Sequence, residues 1–239
     1  MLEKEYYILY LDVLGYKAML EEDSHKLFNK INTGFMYLNR ESEIRNMKCK
    51  IFSDNIILGI DAKETDALEK LLKYTAKVQE LFLRRYGILF RGSIVKGMMY
   101  FGSVYIYGKG IIDAYNLEQK VLFPRVIIDK NLHNEAYVLS STHTVITYRD
   151  DEKFINFMIF YHPNVNHKKS RKQNLIKLLN NTVEFYNKNV SSSDKKLVAK
   201  VLWICNYMKY IFHSYSLESH FDLTNHPNFK DWNIFLSIY

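Results

Sequence analysis

Cysteine is nearly absent: the two present, Cys49 and Cys205, are too few for a disulfide framework and are not spaced as zinc ligands. This excludes a small disulfide-stapled fold and points to a reducing compartment, the cytoplasm. Three prolines and nine glycines in 239 residues exclude collagen-like and low-complexity organisation. No stretch approaches the ~18 uninterrupted apolar residues that span a bilayer. The start, Met1-Leu2-Glu3-Lys4-Glu5, carries acid where a signal peptide needs a basic flank. A soluble, unsecreted chain without membrane contact is expected. What is present is globular material, 48% hydrophobic and 25% charged, enough for one large domain or a domain with an appendage.

The net charge of +7 is unevenly placed, with 22 Lys/Arg against 21 Asp/Glu in residues 1–162 and 11 against 5 in 163–239. All nine glycines lie between Gly15 and Gly110. Both shifts divide the chain into a domain, 1–162, and a basic, mainly helical extension, 163–239. The run His167-Lys168-Lys169-Ser170-Arg171-Lys172 lacks the aromatic interleaving of single-strand binders, so a solvated loop is favoured over nucleic-acid binding. His162, His167 and His220 lack metal spacing with acidic neighbours, and surface or packing roles are expected for them.

Residues 6–12 are a nearly continuous apolar run, the pattern of a buried central strand ending at Asp12. Apolar positions recur at helical spacing over 17–39, with a possible break at Gly34. Two short strands, 47–52 and 56–60, flank Ser53-Asp54-Asn55 and predict a hairpin with Asp54 at its tip. Helix is predicted over 65–85, strand, turn and strand over 88–97 and 98–104, helix over 111–122 and strand over 125–129. The order is βαββαβ, a ferredoxin-like antiparallel sheet with helices on one face, hence α+β. An edge strand over 154–161 and helices over 175–186 and 197–212 complete the reading, with 221–239 ambiguous and the tail docked on the domain.

Two carboxylates interrupt apolar surroundings at chain reversals. A ferredoxin-like sheet places its first strand beside the hairpin, so Asp12 and Asp54 would point at one spot. Such a pair of hard oxygen ligands suits a divalent cation bridging nucleotide phosphates, and the helix start after Gly15 offers backbone N–H groups to phosphate. The alternative is that Asp12 caps a helix and Asp54 is an ordinary turn residue.

Tyr10-Leu11-Asp12-Val13-Leu14-Gly15-Tyr16, then Lys50-Ile51-Phe52-Ser53-Asp54, then Phe90-Arg91-Gly92-Ser93-Ile94-Val95-Lys96-Gly97, then Tyr107-Gly108 and Pro124-Arg125-Val126-Ile127 resemble class III nucleotidyl cyclases in order and spacing. The first block resembles that family's Phe-x-Asp-Ile-x-Gly-Phe, the second its Lys-x-x-Gly-Asp hairpin and the third its Arg-x-Gly-Ile-x-x-Gly strand. Within the family the pattern is similar to a divergent bacterial group that includes the pyrimidine cyclases of antiphage signalling.

The resemblance implies that Asp12 and Asp54 hold two Mg²⁺ or Mn²⁺ ions, and that Val13, Leu14, Gly15, Tyr16 and Arg91 contact the nucleotide. Arg91 has a second reading as the partner of a sheet carboxylate. The family's base-reading lysine falls on Lys50 and its partner, usually Asp, on Tyr105, a departure that favours a smaller base, UTP or CTP. The family's transition-state Asn and Arg would fall near Ile112 and Asn116, so neither is kept in type. Substitute cations would be Lys109, Lys120 and Arg125, with Arg91 more remote, and Glu118 is expected to pair with Arg125. The implied protein is a head-to-tail homodimer that cyclises a nucleoside triphosphate. The rivals are a catalytically silent nucleotide-binding sensor and, on charge alone, a nucleic-acid module.

Overall fold

The computed structural model describes residues 3–140, 143–147, 151–165 and 170–232. The elements run β1 (Lys4–Val13), α1 (Tyr16–Glu22), α2 (Ser24–Ile44), β2 (Lys48–Phe52), β3 (Asn55–Asp61), α3 (Ala67–Tyr86), β4 (Phe90–Phe101), β5 (Ile106–Tyr107), α4 (Lys109–Glu118), β6 (Val126–Ile128), α5 (His133–Ser140), β7 (Val145–Thr147), β8 (Lys153–Ile155), α6 (Ser170–Asn189), α7 (Lys195–Tyr215) and α8 (Leu217–His220). Among the described residues the sheet order is β2-β3-β1-β4-β6-β8-β7, with β5 on the end of β4. The expected α+β architecture is present.

β1 lies between β3 and β4 and pairs antiparallel with both, which sets Asp12 opposite Asn55 on one side and Arg91 on the other. It takes this place because Tyr6 through Leu11 are all buried, and a strand covered on both faces is an apolar run without alternation. Side chains alternate across the pleat, so Tyr6, Ile8 and Tyr10 share a face with Asp12. They form a cluster with Ile57, Val95, Met99 and Ala114, flanked by Phe101, Ile106, Ile111 and Leu117.

That second face is therefore covered in part by the chain's own α4, where helices on one face only were expected. Paired glycines permit the approach: a Cβ on Gly97 would lie 2.8 Å from the Gly110 Cα, and one on Gly110 would meet Ile8 Cδ1 at 2.5 Å. Gly97 thus serves helix packing and makes no turn. β4 runs unbroken for 12 residues, and the reversal falls at Gly102, whose N–H donates to the Tyr105 carbonyl at 3.0 Å.

Other boundaries differ for local reasons. The first helical region breaks at Asp23, which caps α2 by accepting from the Lys26 N–H at 2.8 Å, while Gly34 is buried inside an uninterrupted α2. α4 ends at Glu118, short of 122. The expected edge strand 154–161 is only Lys153–Ile155 and lies between β6 and β7, followed by a 3₁₀ turn at Ile159–Tyr161. Short strands are decided by partners that a local pattern does not contain.

The chain divides into two compact units, Met1–Gln79 with Leu89–Phe157, and Glu80–Ile88 with Met158–Tyr239. In the second unit Tyr161 donates to Glu80 at 2.6 Å, Asn181 donates to the carbonyls of Leu83 and Arg84, and the Met158 N–H donates to Tyr207. The last third therefore takes residues 80–88, the end of α3, into its own core. Of the basic run, His167, Lys168 and Lys169 lie outside the described residues. Arg171 and Lys172 donate to the carbonyls of Val165 and Asp222. His162 packs edge-on against Tyr215 and His220 against Phe221, the packing roles expected of them.

The glycine contact gives a direct test. Gly110→Ala forces a methyl into Ile8 and the β4 backbone, and should lower stability by about 1–3 kcal/mol, the usual cost of overpacking, in urea-melt measurements. An unchanged midpoint would show that α4 can ride off the sheet.

Candidate active site

Asp12 ends the buried run of β1, and Asp54 occupies the two-residue loop between β2 and β3. Ser53 takes the left-handed conformation there, φ 54°, at the position where the resembled motif has glycine. The Val13 N–H donates to the Asp54 carbonyl at 3.1 Å, which fastens the loop to the end of β1. The two carboxyls are near enough that the charge of Asp54 and a hydrogen bond with it both raise the Asp12 pKa.

Between them and the helix stands Arg91. Its Nε lies 2.7 Å from Asp12 Oδ2 and 2.9 Å from Glu118 Oε1. One N–H cannot point at both; it donates to Asp12, and Glu118 Oε1, with no hydrogen-bond donor of its own, is held by charge. Glu118 is 1% exposed, and its Oε2 accepts from Gln119 at 2.7 Å. Burial raises the pKa of Glu118, Arg91 lowers it, and Asp12 and Asp54 raise it again. Asp12 is raised by burial first, against the lowering effect of Arg91. Arg91 is raised despite its burial, because three carboxylates surround it. Tyr10, on the same face, is pushed up to about 12 by burial and then by Glu118 and Asp12.

Three carboxylates around one guanidinium leave excess negative charge, so the site is suited to a cation. Among the described residues no group of three or more His, Cys, Asp or Glu side chains has the arrangement of a metal cage. The donor set is instead a hard oxygen pair, the kind that binds Mg²⁺ or Mn²⁺ when phosphates and water complete the shell. The residues present fit such an ion.

The other sequence candidates separate into groups. The Val13 and Leu14 N–H groups donate to the carbonyls of Asp54 and Leu89, which leaves the start of the helix after Gly15 as the source of free N–H groups. Gly15, at φ 78°, and Tyr16 open α1, whose first N–H groups have no carbonyl partner within the helix. Lys50 donates to the Ser103 carbonyl in the turn between β4 and β5. Tyr105, two residues further on, is 60% exposed and leans on Tyr100 with ring centroids 5.3 Å apart. The structure thus brings Lys50 to the turn that carries Tyr105.

The cation candidates change order. Arg125 pairs with Glu152 at 2.6 Å, its guanidinium over the rings of Phe123 and Phe154; Glu118 does not reach it and pairs with Arg91. Lys109 is engaged by Asp113, and Lys120 is exposed beyond the end of α4. Arg91, ranked as remote, is the cation at Asp12. Ile112 and Asn116 are exposed on α4. Sequence reasoning missed Glu118 as a member of the cluster. Gly110, Ala114 and Glu118 are the buried residues of α4, and a carboxylate closing a stripe of small residues at four-residue spacing is the signal that could have found it.

No protein-family model matches the chain, and no curated protein matches it. Among solved structures, the catalytic core of a rhodopsin–guanylyl cyclase with converted specificity, in complex with an ATP analogue, is similar at 9% identity and a TM-score of 0.50, over 65% of this chain and 97% of that one. The monomeric guanylyl cyclase domain of the RhoGC fusion protein from the aquatic fungus Blastocladiella emersonii gives 13% identity and 0.50, over 64% and 96%. Likeness at these identities shows the fold: the chain has the α+β fold of nucleotide cyclase catalytic domains.

The charge cluster predicts a pH effect. Arg91→Gln leaves Glu118 buried beside Asp12 with no counter-charge and should cost about 3 kcal/mol at neutral pH. Carboxyls with raised folded-state pKa values favour the fold at low pH, and that stability is lost as pH rises above the ordinary carboxylate range near 4. The loss in the variant should therefore shrink toward pH 5 in thermal melts. A pH-independent loss would place the effect in packing.

Proposed function

We propose that the protein is a nucleotidyl cyclase that converts a nucleoside triphosphate into a 3′,5′-cyclic nucleotide and pyrophosphate. The observation that carries this is the meeting of Asp12 and Asp54 at one end of β1 in a cyclase-type fold. The ribose 3′-oxygen bonds to the α-phosphorus, the bond from that phosphorus to the β-phosphate oxygen breaks, and the 3′-hydroxyl proton is released. Two Mg²⁺ or Mn²⁺ ions, held by Asp12 and Asp54, would supply activation of that hydroxyl and neutralisation of the triphosphate.

The chain's own residues have the remaining tasks. Asp12 and Asp54 fix the reacting end. Arg91 neutralises Asp12 and is the cation placed to exchange a carboxylate for a phosphate oxygen when nucleotide enters. Gly15 and Tyr16 present the start of α1 to the phosphates. Lys50, which offers only donors, and Tyr105 read the base; a carbonyl-bearing pyrimidine, UTP or CTP, suits them better than adenine. Catalysis is assigned to residues 1–162, of which 80–88 and 158–162 pack with the extension 163–239. A role in antiphage signalling rests on the resemblance to that bacterial group.

In a head-to-tail homodimer the carboxylates of one copy face the base contacts of the other. The exposed Val104, Tyr105, Tyr107, Ile112 and Tyr115 on the β4–β5 turn, β5 and α4 support a covered surface there. A dimer at micromolar concentration in sedimentation equilibrium, dissociated by Tyr107→Asp, is the expected result. A wild-type monomer would count against shared sites.

The second reading is a silent nucleotide-binding domain, favoured by Ile112 and Asn116 at the positions of the family's Asn and Arg. Incubation with each of the four nucleoside triphosphates and Mn²⁺, with product identified by mass spectrometry, separates the two. The expected outcome is cyclic UMP or CMP from wild type, none from Asp12→Asn or Asp54→Asn, and purine rejection relaxed by roughly 1–3 kcal/mol in Tyr105→Ala. Binding without turnover would support the sensor, and preferential cyclisation of ATP would overturn the base assignment.

A further inference from the structure

The second unit carries 13 Lys/Arg against 6 Asp/Glu, and the first 20 against 20, so the whole net charge of +7 belongs to the second. Within that unit lies a cavity of about 580 Å³ lined by Arg84, Arg85, Asn174, Lys177, Asn180 and Asn181. No carboxylate lines it. Asn174, Lys177 and Asn181 follow one another at three and four residues on α6 and so share a helix face. Asn181 fixes this wall to the end of α3 through its bonds to the carbonyls of Leu83 and Arg84 at 2.7 and 3.0 Å.

Arg84 is a prepared donor. Its Nε and Nη2 reach the two oxygens of Glu80 at 2.5 and 3.3 Å, and Glu80 is itself held by the buried Tyr161 hydroxyl at 2.6 Å. The side chain is 12% exposed. This pairing uses two of the five guanidinium N–H groups and locks the plane. Among the described residues neither Arg85 nor Lys177 enters an ion pair. Two exposed cations without ion-pair partners and one oriented guanidinium therefore line one concavity, and an anion entering it relieves their repulsion, which water only partly screens.

We propose that this cavity is a second ligand site, separate from the carboxylate site, for a small molecule carrying a chain of phosphates. Arg84 and Arg85 grip phosphate oxygens with planar donors, Lys177 adds a point charge, and the amides of Asn174 and Asn180 line the remainder. A concavity of this size whose lining holds no aromatic ring on which bases could stack suits a compact oligophosphate better than the extended backbone of a nucleic acid. Inorganic oligophosphate and the phosphate chain of a nucleotide share this chemistry.

Calorimetric titration of the full chain with inorganic tripolyphosphate, in chelator to exclude divalent metal, tests the proposal. One equivalent should bind to wild type, and equally to Asp54→Asn, which removes one of the paired carboxylates. Arg85→Gln with Lys177→Gln should weaken binding at least tenfold, the scale of losing a charge-assisted contact; Lys177→Gln alone, at an exposed helix position, should show a smaller loss if the double variant fails to fold. A parallel titration with UTP identifies the source: similar affinity means the phosphate chain alone is read, tighter binding means that the nucleoside is read too. Undiminished binding in the Arg85/Lys177 variants overturns the proposal, as does binding of a single-stranded oligonucleotide without binding of tripolyphosphate. Because metal is absent and turnover is not measured, failure here leaves the cyclase reading to its own assay.

Discussion

Arg91 holds two carboxylates that the fold has taken largely out of water, and the architecture around it follows from that constraint. A buried carboxylate without a partner is among the most costly groups a protein can hold, and Glu118 is nearly inaccessible. Its neighbour in the sheet, Asp12, is also raised by burial. Only a cation delivered by β4, directly opposite Asp12 in the ladder, compensates both. For Glu118 to reach that cation α4 must lie close against β4, and the Gly97–Gly110 contact sets how close. The hairpin loop adds a third carboxylate, Asp54, to a cluster that one guanidinium does not neutralise. The remaining negative charge suits the site to a cation and, with burial, raises the proton affinity of Asp12 and Glu118.

The parts of this arrangement that were legible in the sequence are those fixed by local pattern. The apolar run of β1 ending at Asp12 and the hairpin around Asp54 carry their own periodicity and turn residues, so strand, loop and the convergence of the two aspartates could be anticipated. What was not legible depends on pairing between distant elements. Gly97 looks like a turn until α4 is packed on it. Glu118 and Arg125 look like partners because they are near in sequence, yet the sheet offers Glu118 the closer Arg91 and gives Arg125 to Glu152 between two aromatic rings. The N–H groups of Val13 and Leu14 look available until the ends of β1, the hairpin and β4 are brought together. The end of α3 reads as an ordinary helix stop, and nothing local shows that residues 80–88 belong with the last third of the chain.

A fold shared with cyclase domains does not decide the reaction, because activity resides in the site grafted onto the fold. The proposed reaction requires that transition-state charge be stabilised without the arginine that the resemblance would place near Asn116. Losing such a donor commonly costs several kcal/mol. Arg91 is a chemically adequate replacement in type, since it is planar, always charged and held beside the carboxylates. Its use would have a cost: each hydrogen bond it donates to a phosphate oxygen withdraws it from Asp12 and Glu118. A divalent ion held by Asp12 would supply the positive charge that Arg91 gives up.

The distribution of charge differs between the two units. At physiological ionic strength a surface charge acts over about 8 Å, so surplus positive charge in the second unit is felt mainly by what lies against it. In the first unit, balanced overall, the proposed attraction of a triphosphate would rest on the few groups at the site, Arg91 among them. In the second, the surplus has no acidic counterpart at the cavity, and the cations there are held apart from the carboxylates that could neutralise them: Glu80 is occupied by Arg84 and Tyr161. A site whose counter-ion is used internally to orient one of its own donors is arranged for an external anion, and its affinity should fall with added salt in proportion to the number of phosphate oxygens engaged.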